Sequence, residues 1–216
     1  MRKVYGTVVS KEDYLEHKDG RKFDATEFES HPERYTPSFA QKIAPFTTVL
    51  VNGIYWQPGY PRLLTVSDMR NIQPETYVAD PNTGVPRLPQ RLLAVCDISA
   101  DLGGSIEFLS DYTSIDSPFM MYDAHKNTVA HGEVVGNGVL VMSIDHLPAQ
   151  LPREATDYFG TQLLPFVKEL GKLDGTKPLE EVDNVSNTVK DAVMTYGGSL
   201  TPKYQYITGL RRELHA

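Results

Sequence analysis

Leu92-Leu93-Ala94-Val95-Cys96-Asp97, followed at once by Ile98-Ser99-Ala100-Asp101-Leu102-Gly103-Gly104, is the stretch on which the fold turns. A continuous apolar run of about six residues without polar alternation suits a strand buried on both faces, the habit of parallel sheets. The run gives way to a polar, glycine-bearing loop, as at the carboxyl edge of an α/β sheet. Two other segments share that form. Thr47-Thr48-Val49-Leu50-Val51-Asn52 ends at Gly53, and Val139-Leu140-Val141-Met142-Ser143 runs into Ile144-Asp145-His146-Leu147-Pro148. Three such strands predict an α/β fold with a parallel sheet. Ligands in these sheets bind beyond the carboxyl ends of the strands, so Asn52, Asp97 to Gly104 and Asp145-His146 become the candidate site.

Around this frame the pattern is mixed. Residues 4–9 read as a short strand. Residues 10–46 are charged and irregular, with a short helix near Asp24–Ser30, and are expected on the surface. Thr65 to Asn71 suggests a helix capped by Thr65 or Ser67. Residues 74–91 read as loop. Pro118–Tyr122 and Thr128–His131 predict a hairpin. From Pro152 the period turns helical, with Phe159, Leu163, Phe166, Val167 and Leu170 on one face, and Pro165 is expected to kink or break it. A second helix is predicted from Leu179 to about Tyr196, stopped by Gly197-Gly198, and a third from Pro202 to Leu214. Domain boundaries follow: 1–150 for the sheet, 151–216 for C-terminal helices.

Composition narrows the function. The 216 residues carry 40% apolar and 23% charged side chains and a net charge of -7. No basic excess is available to neutralise phosphates, which argues against nucleic acid. No apolar run approaches the ~20 residues of a membrane span. The single cysteine, Cys96, forms no internal disulfide and points to a reducing, intracellular setting. No Cys/His spacing suggests a metal. A dinucleotide fold normally opens with a Gly-rich turn at a helix N-terminus, and no G-x-G-x-x-G occurs in the sequence. The expected sheet is therefore an incomplete Rossmann-like one, lacking its first β-α-β unit.

Three motifs carry a family likeness. Asn52-Gly53-Ile54-Tyr55-Trp56 with Pro61-Arg62-Leu63-Leu64-Thr65 resembles the lysine–2-oxoglutarate reductase part of the aminoadipic semialdehyde synthase family. So do Cys96 to Phe108 and Ser143 to Thr156. The third motif also resembles fungal saccharopine dehydrogenases, and Asp101-x-Gly103-Gly104 is similar to an element of alanine dehydrogenases and transhydrogenases. The likeness runs from Arg2 to about Arg211. It implies reductive condensation of L-lysine with 2-oxoglutarate to saccharopine, with NADP or NAD as cofactor and no metal, in the mitochondrial matrix or cytoplasm. It also implies that the chain is the later part of such an enzyme, inactive alone, whose C-terminal helices pack on an N-terminal domain lying outside it. That domain, or a homo-oligomer, would be its partner.

By this resemblance Asp101 and Asp145 are the candidate catalytic residues. Asn52, Gly53, Ile54, Asp97, Ser99, Asp145, His146 and Leu147 are the candidate cofactor-binding residues. Each has a plainer reading. Asp101 suits an Asx turn, Asp145 a helix cap, His146 a structural role, and Asn52 to Ile54 a strand-end turn. Tyr55 and Trp56 suit packing, against a nicotinamide or at a domain interface. Arg62 can fork onto a carboxylate or lie on the surface, Cys96 reads as an inert buried thiol, and His31, His125 and His131 have no evident partner. A catalytically inactive module that docks on an N-terminal half or a full-length relative is the alternative function.

Overall fold

A computed structural model of the chain describes residues 3–75, 90–132, 134 and 137–213, in two compact units, Met1–Leu147 and Pro148–Ala216. The first unit begins with extended chain and a small subdomain: α1 (Lys11–Tyr14), β1 (Leu15–His17), α2 (Ala25–Ser30), β2 (Tyr35–Pro37) and α3 (Phe39–Lys42). The strands expected at residues 4–9 do not form. Val4 and Val8 are 100% and 93% exposed, since a strand needs a ladder partner and these residues have none among those described.

Residues 10–46 are not a surface excursion. Tyr14, Leu15, Phe28, Tyr35, Phe39 and Ala44 are all buried. Phe28 meets Tyr35 edge-on at 5.5 Å and Tyr60 at 4.9 Å. Irregularly spaced aromatics left no period to read, yet each one buries a large area. The α2 helix starts where Asp24 caps it, its carboxylate accepting from the Thr26 and Glu27 amides at 2.8 and 2.9 Å.

The main sheet has five strands in the order β3-β4-β7-β5-β6. They are β3 (Val49–Asn52), β4 (Ala94–Asp97), β5 (Met120–Asp123), β6 (Thr128–His131) and β7 (Val139–Met142), with α4 (Val66–Ile72) between β3 and β4 in sequence. β3, β4 and β7 run parallel, with Asn52 opposite Asp97 and Cys96 opposite Met142. The predicted hairpin forms β5 and β6, antiparallel to each other, and β5 also pairs antiparallel with β7. Its tip is an Asx turn: one Asp123 oxygen accepts from the His125 and Lys126 amides.

The core lies on one face of this sheet. Leu64, Met69, Leu92, Val95, Ile106, Leu109, Met120, Val139 and Val141 are shut off from solvent. Burial on both faces is not what β3 shows. Val49 and Val51 are 55% and 61% exposed, because β3 is an edge strand whose odd side chains point away from the core. Thr65 caps α4 as expected, accepting from the Asp68 amide at 3.1 Å. Most of the predicted loop at 74–91 lies outside the described residues.

In the second unit α5 (Pro152–Leu170) starts with proline at its first turn and runs unbroken through Pro165. A kink or a break was expected at Pro165; the helix does not break there, and one ladder bond to Thr161 is forgone. The long second helix does not exist. Leu179–Glu181 makes a single 3-10 turn, Asn184 takes φ +60°, in the left-handed region, and only α6 (Asn187–Ala192) is α-helical. Gly197 and Gly198, at φ +57° and +79°, turn a two-strand hairpin, β8 (Thr195–Tyr196) with β9 (Ser199–Leu200), rather than ending a helix. α7 (Tyr206–Glu213) follows. Leu179, Val182 and Val189 are the buried apolar side chains of this unit.

Candidate functional site

The parallel register of β3, β4 and β7 delivers Asn52, Asp97 and Ser143 to one row at the carboxyl edge of the sheet. Their side chains do not open outward. They are 2%, 1% and 0% exposed. The Asn52 amide donates to Asp97 Oδ1 at 2.8 Å and to Ser105 Oγ at 2.9 Å. Ser99 donates to the same Asp97 oxygen from its hydroxyl at 2.6 Å and its backbone N–H at 3.2 Å. The Asx turn expected at Asp101 therefore belongs to Asp97. Asn52 Oδ1, Asp97 Oδ2 and Ser143 Oγ are buried without a hydrogen-bond partner among the described residues. Such groups are costly in a low-dielectric interior.

The next residues along each loop form the outer rim. Asp101 is half-buried, and its carboxylate accepts no hydrogen bond from a described residue. Its carbonyl accepts from the Gly104 amide at 2.9 Å. The carboxylate leans on Gly104, where a Cβ would lie 2.5 Å from Oδ2. The loop is strained at Ala100, which has φ +47°, while Gly103 takes φ +63° at no steric cost. A non-glycine residue there persists only when its surroundings over-determine it.

Arg62 does much of that. Its Nη2 donates to the Gly103 carbonyl at 2.8 Å, Nε to the Gly104 carbonyl at 3.1 Å and Nη1 to Glu107 at 3.0 Å. Its guanidinium lies 5.2 Å from the Trp56 ring centre, a partner for Trp56 that the sequence reading did not name. Tyr55 is 81% exposed and packs on nothing comparable. Arg62 is thus neither a free surface side chain nor an open anion holder. Sequence reading missed Ser105 and Glu107 as parts of this network. The only hint was Arg62 itself, near two strand-end loops.

Asp145 and His146 follow β7 and are exposed, with Oδ2 and Nε2 3.5 Å apart. Asp145 caps no described backbone N–H, and Leu151, the N-cap of α5, gives no side-chain cap. Leu147 is half-buried. Gly53 is exposed, and Ile54 packs against the core. A cavity of about 370 Å³ touches Gly53 and Ile54, with Lys11, Glu29 and Tyr60 on its far side, but reaches neither Asp101 nor Asp145. Asp101 is half-buried and Asp145 exposed, and both lie outside this cavity.

The remaining groups are structural. Burial pushes the Cys96 thiol up, with the Asp97 charge adding to it. His125 contacts the Gln73 carbonyl at 2.8 Å, His131 meets Asp111 at 3.0 Å, and His31 meets Glu33 at 3.2 Å. No group of three metal-binding side chains occurs among the described residues, and no helix there is long and apolar enough to cross a membrane.

Comparison with known proteins agrees with this geometry. The family described as Alanine dehydrogenase/PNT, C-terminal domain matches residues 93–203, from the start of β4 into the second unit. The mitochondrial alpha-aminoadipic semialdehyde synthase of Mus musculus is 50% identical over 212 residues, 98% of this chain and 23% of that protein. The Arabidopsis thaliana alpha-aminoadipic semialdehyde synthase is 37% identical over 210 residues. The saccharopine dehydrogenase (NAD(+), L-lysine-forming) of Schizosaccharomyces pombe is 29% identical over 152 residues, 65% of this chain and 34% of that protein. The chain spans less than a quarter of the length of the synthases it matches. It belongs to the Alanine dehydrogenase/PNT, C-terminal domain family, and across nearly its whole length it is similar to alpha-aminoadipic semialdehyde synthases.

Proposed function

We propose that the chain supplies the nicotinamide-side wall of an NAD(P)-dependent oxidoreductase of lysine degradation, one that condenses L-lysine with 2-oxoglutarate reductively to saccharopine. The observation that carries this reading is the alignment of three parallel strand ends, with Asn52 beside Asp97 and Cys96 beside Met142; the loops bearing Asp101 and Asp145 leave the sheet from that edge. The fit to a dinucleotide is one-sided. Gly53, Asp101, Asp145, His146 and Leu147 are available for a nicotinamide and its ribose. Asn52, Asp97 and Ser99 support that surface from beneath rather than touching the ligand. No Gly-rich turn in this sequence takes a pyrophosphate.

When bound, the cofactor supplies hydride. The protein's share is to place it and to move protons at the amine and the carbinolamine hydroxyl. Asp101, on a fixed loop with its carboxylate free of described donors, is the residue for a proton at the reacting centre. Asp145 is placed to accept from a ribose hydroxyl. The residues that complete the acid–base set and hold the substrate carboxylates belong to an N-terminal domain of the longer enzyme, and the cell compartment is a reducing one, mitochondrial matrix or cytoplasm.

The test is titration of NADPH and NADH into the chain, alone and mixed with the N-terminal half of a synthase, followed by saccharopine formation. Weak binding alone, strengthened in the mixture and accompanied by turnover, is expected. No binding and no turnover in the mixture would end the proposal. A second reading, an inactive module that docks on such a half, is favoured by α5, where Phe159, Leu163, Leu164 and Val167 are all over two-fifths exposed. It predicts association without turnover.

A further inference from the structure

We propose that Arg62 is the positioning residue of the Asp101 loop, holding the carboxylate in place without touching the ligand; what the loop faces rests on the function proposed above. The loop from Asp97 to Ser105 is strained at Ala100, with φ +47°, and turns again at Gly103, where glycine takes φ +63° freely. Left to itself it would relax toward ordinary backbone angles. Its leading end is fixed by Asp97, which holds Ser99. Its trailing end has Arg62.

One guanidinium meets two successive carbonyls, of Gly103 at 2.8 Å and Gly104 at 3.1 Å. That fixes both peptide planes together, because a planar fork sets direction as well as distance. The third contact, to Glu107 at 3.0 Å, anchors the fork. The other Glu107 oxygen accepts from the Val66 amide at 2.8 Å, in the first turn of α4. The Trp56 ring closes one face of the guanidinium. The loop is thereby tied to α4 and to the segment after β3 at once. Gly104 completes the arrangement: with no Cβ it lets the Asp101 carboxylate rest on its backbone. Moving the Gly103 and Gly104 carbonyls moves that resting place.

Lysine carries the charge but cannot fork, so Arg62→Lys separates charge from geometry. The experiment uses the full chain as wild type, Arg62→Lys and Arg62→Ala. It follows the Gly103 and Gly104 amide signals by NMR and NADH binding by nicotinamide fluorescence, with and without millimolar methylguanidinium. Arg62→Lys should stay folded, shift or broaden both glycine signals and bind NADH about tenfold more weakly, the size expected when the displaced Asp101 loses one hydrogen bond to the ligand. Methylguanidinium should restore the signals and the binding in Arg62→Ala but leave Arg62→Lys unchanged. A role confined to stability predicts no such rescue, and binding that falls only with the folded fraction. Wild-type glycine signals and binding in Arg62→Lys would overturn the proposal. Should the wild type itself bind neither dinucleotide, the functional reading falls, and the glycine signals with their rescue still decide whether Arg62 sets the loop.

Discussion

Replacing Asn52 by alanine separates two roles for the strand-end row. Asn52 is 2% exposed and donates to the Asp97 carboxylate and to Ser105. The substitution removes one hydrogen bond to a charged group, about 1.5–3 kcal/mol, and one neutral bond, about 1 kcal/mol. The space left by the amide adds about 1 kcal/mol. Against this, Asn52 Oδ1 is buried without a described partner, and its removal relieves about 1 kcal/mol. The net loss is about 3 kcal/mol. Trp56, the only tryptophan of the chain, lies four residues beyond Asn52 and reports on the first unit. Urea unfolding followed by its fluorescence should show a midpoint lowered at unchanged slope. Adding Ser105→Ala should cost less in the Asn52→Ala background than in the wild type, because the two share a bond. If Asn52 instead serves a ligand directly, its replacement leaves unfolding within about 0.5 kcal/mol of wild type, as at an uncommitted site. That result, with NADH binding lost, would refute the internal lock.

Other substitutions test neighbouring parts of the structure. Gly104→Ala places a Cβ 2.5 Å from Asp101 Oδ2 and 2.9 Å from the Asp101 carbonyl oxygen; the carboxylate must swing away, at about 1–3 kcal/mol, read as lost stability and shifted Asp101 signals in NMR. Glu27 is held at about 2, below its ordinary 4.5, chiefly by the hydrogen bond from Arg34. A carboxyl lowered on folding stabilises the fold fully above pH 4.5 and loses that contribution as pH falls toward 2. The gap between wild type and Glu27→Gln in urea midpoint should therefore close over that range and persist at neutral pH. Pro165→Ala restores a backbone N–H inside α5 and should stabilise the second unit by up to about 3 kcal/mol, seen as slower amide exchange near Thr161.

The apolar runs carried the sheet because a parallel strand needs a nearly unbroken set of branched and aliphatic side chains, and three such runs were visible. The cap at Thr65, the short helix after Asp24 and the β5–β6 hairpin were likewise local events with local signals. The failures are events at a distance. Nothing in Val49 or Val51 says that β3 lies at a sheet edge. Nothing in Gly197-Gly198 distinguishes a helix stop from a hairpin turn, since both use positive φ. The aromatic residues of the 10–46 segment meet only through tertiary packing. At the site, the strand ends were legible because any parallel sheet presents its carboxyl edge. The inward turn of Asn52 and Asp97 was not, because their partners lie 45 and 53 residues apart for Asn52 with Asp97 and Ser105. An asparagine at a strand end reads the same whether it faces a ligand or a neighbour.

The buried row explains why a polar lock stands where an apolar one would be stabler. A hydrogen-bonded buried charge is seldom worth more than well-packed hydrophobic side chains, though losing one partner is expensive. Asn52→Leu with Asp97→Leu and Ser105→Ala removes Asn52 and both of its partners together, and with them the two orphaned oxygens of Asn52 and Asp97. The triple variant should therefore keep a urea midpoint within about 1–1.5 kcal/mol of wild type, unlike Asn52→Ala alone. What it cannot keep is the hold on Ser99, whose amide and hydroxyl both rest on Asp97. With its leading end released, Ala100 can leave φ +47°, and the Ser99–Leu102 amides should exchange faster while the strand amides of β4 do not. Equal exchange in both variant and wild type would show that Arg62 alone suffices to fix the loop. Faster exchange confined to it would mean that the polar row sacrifices stability for the placement of a single carboxylate.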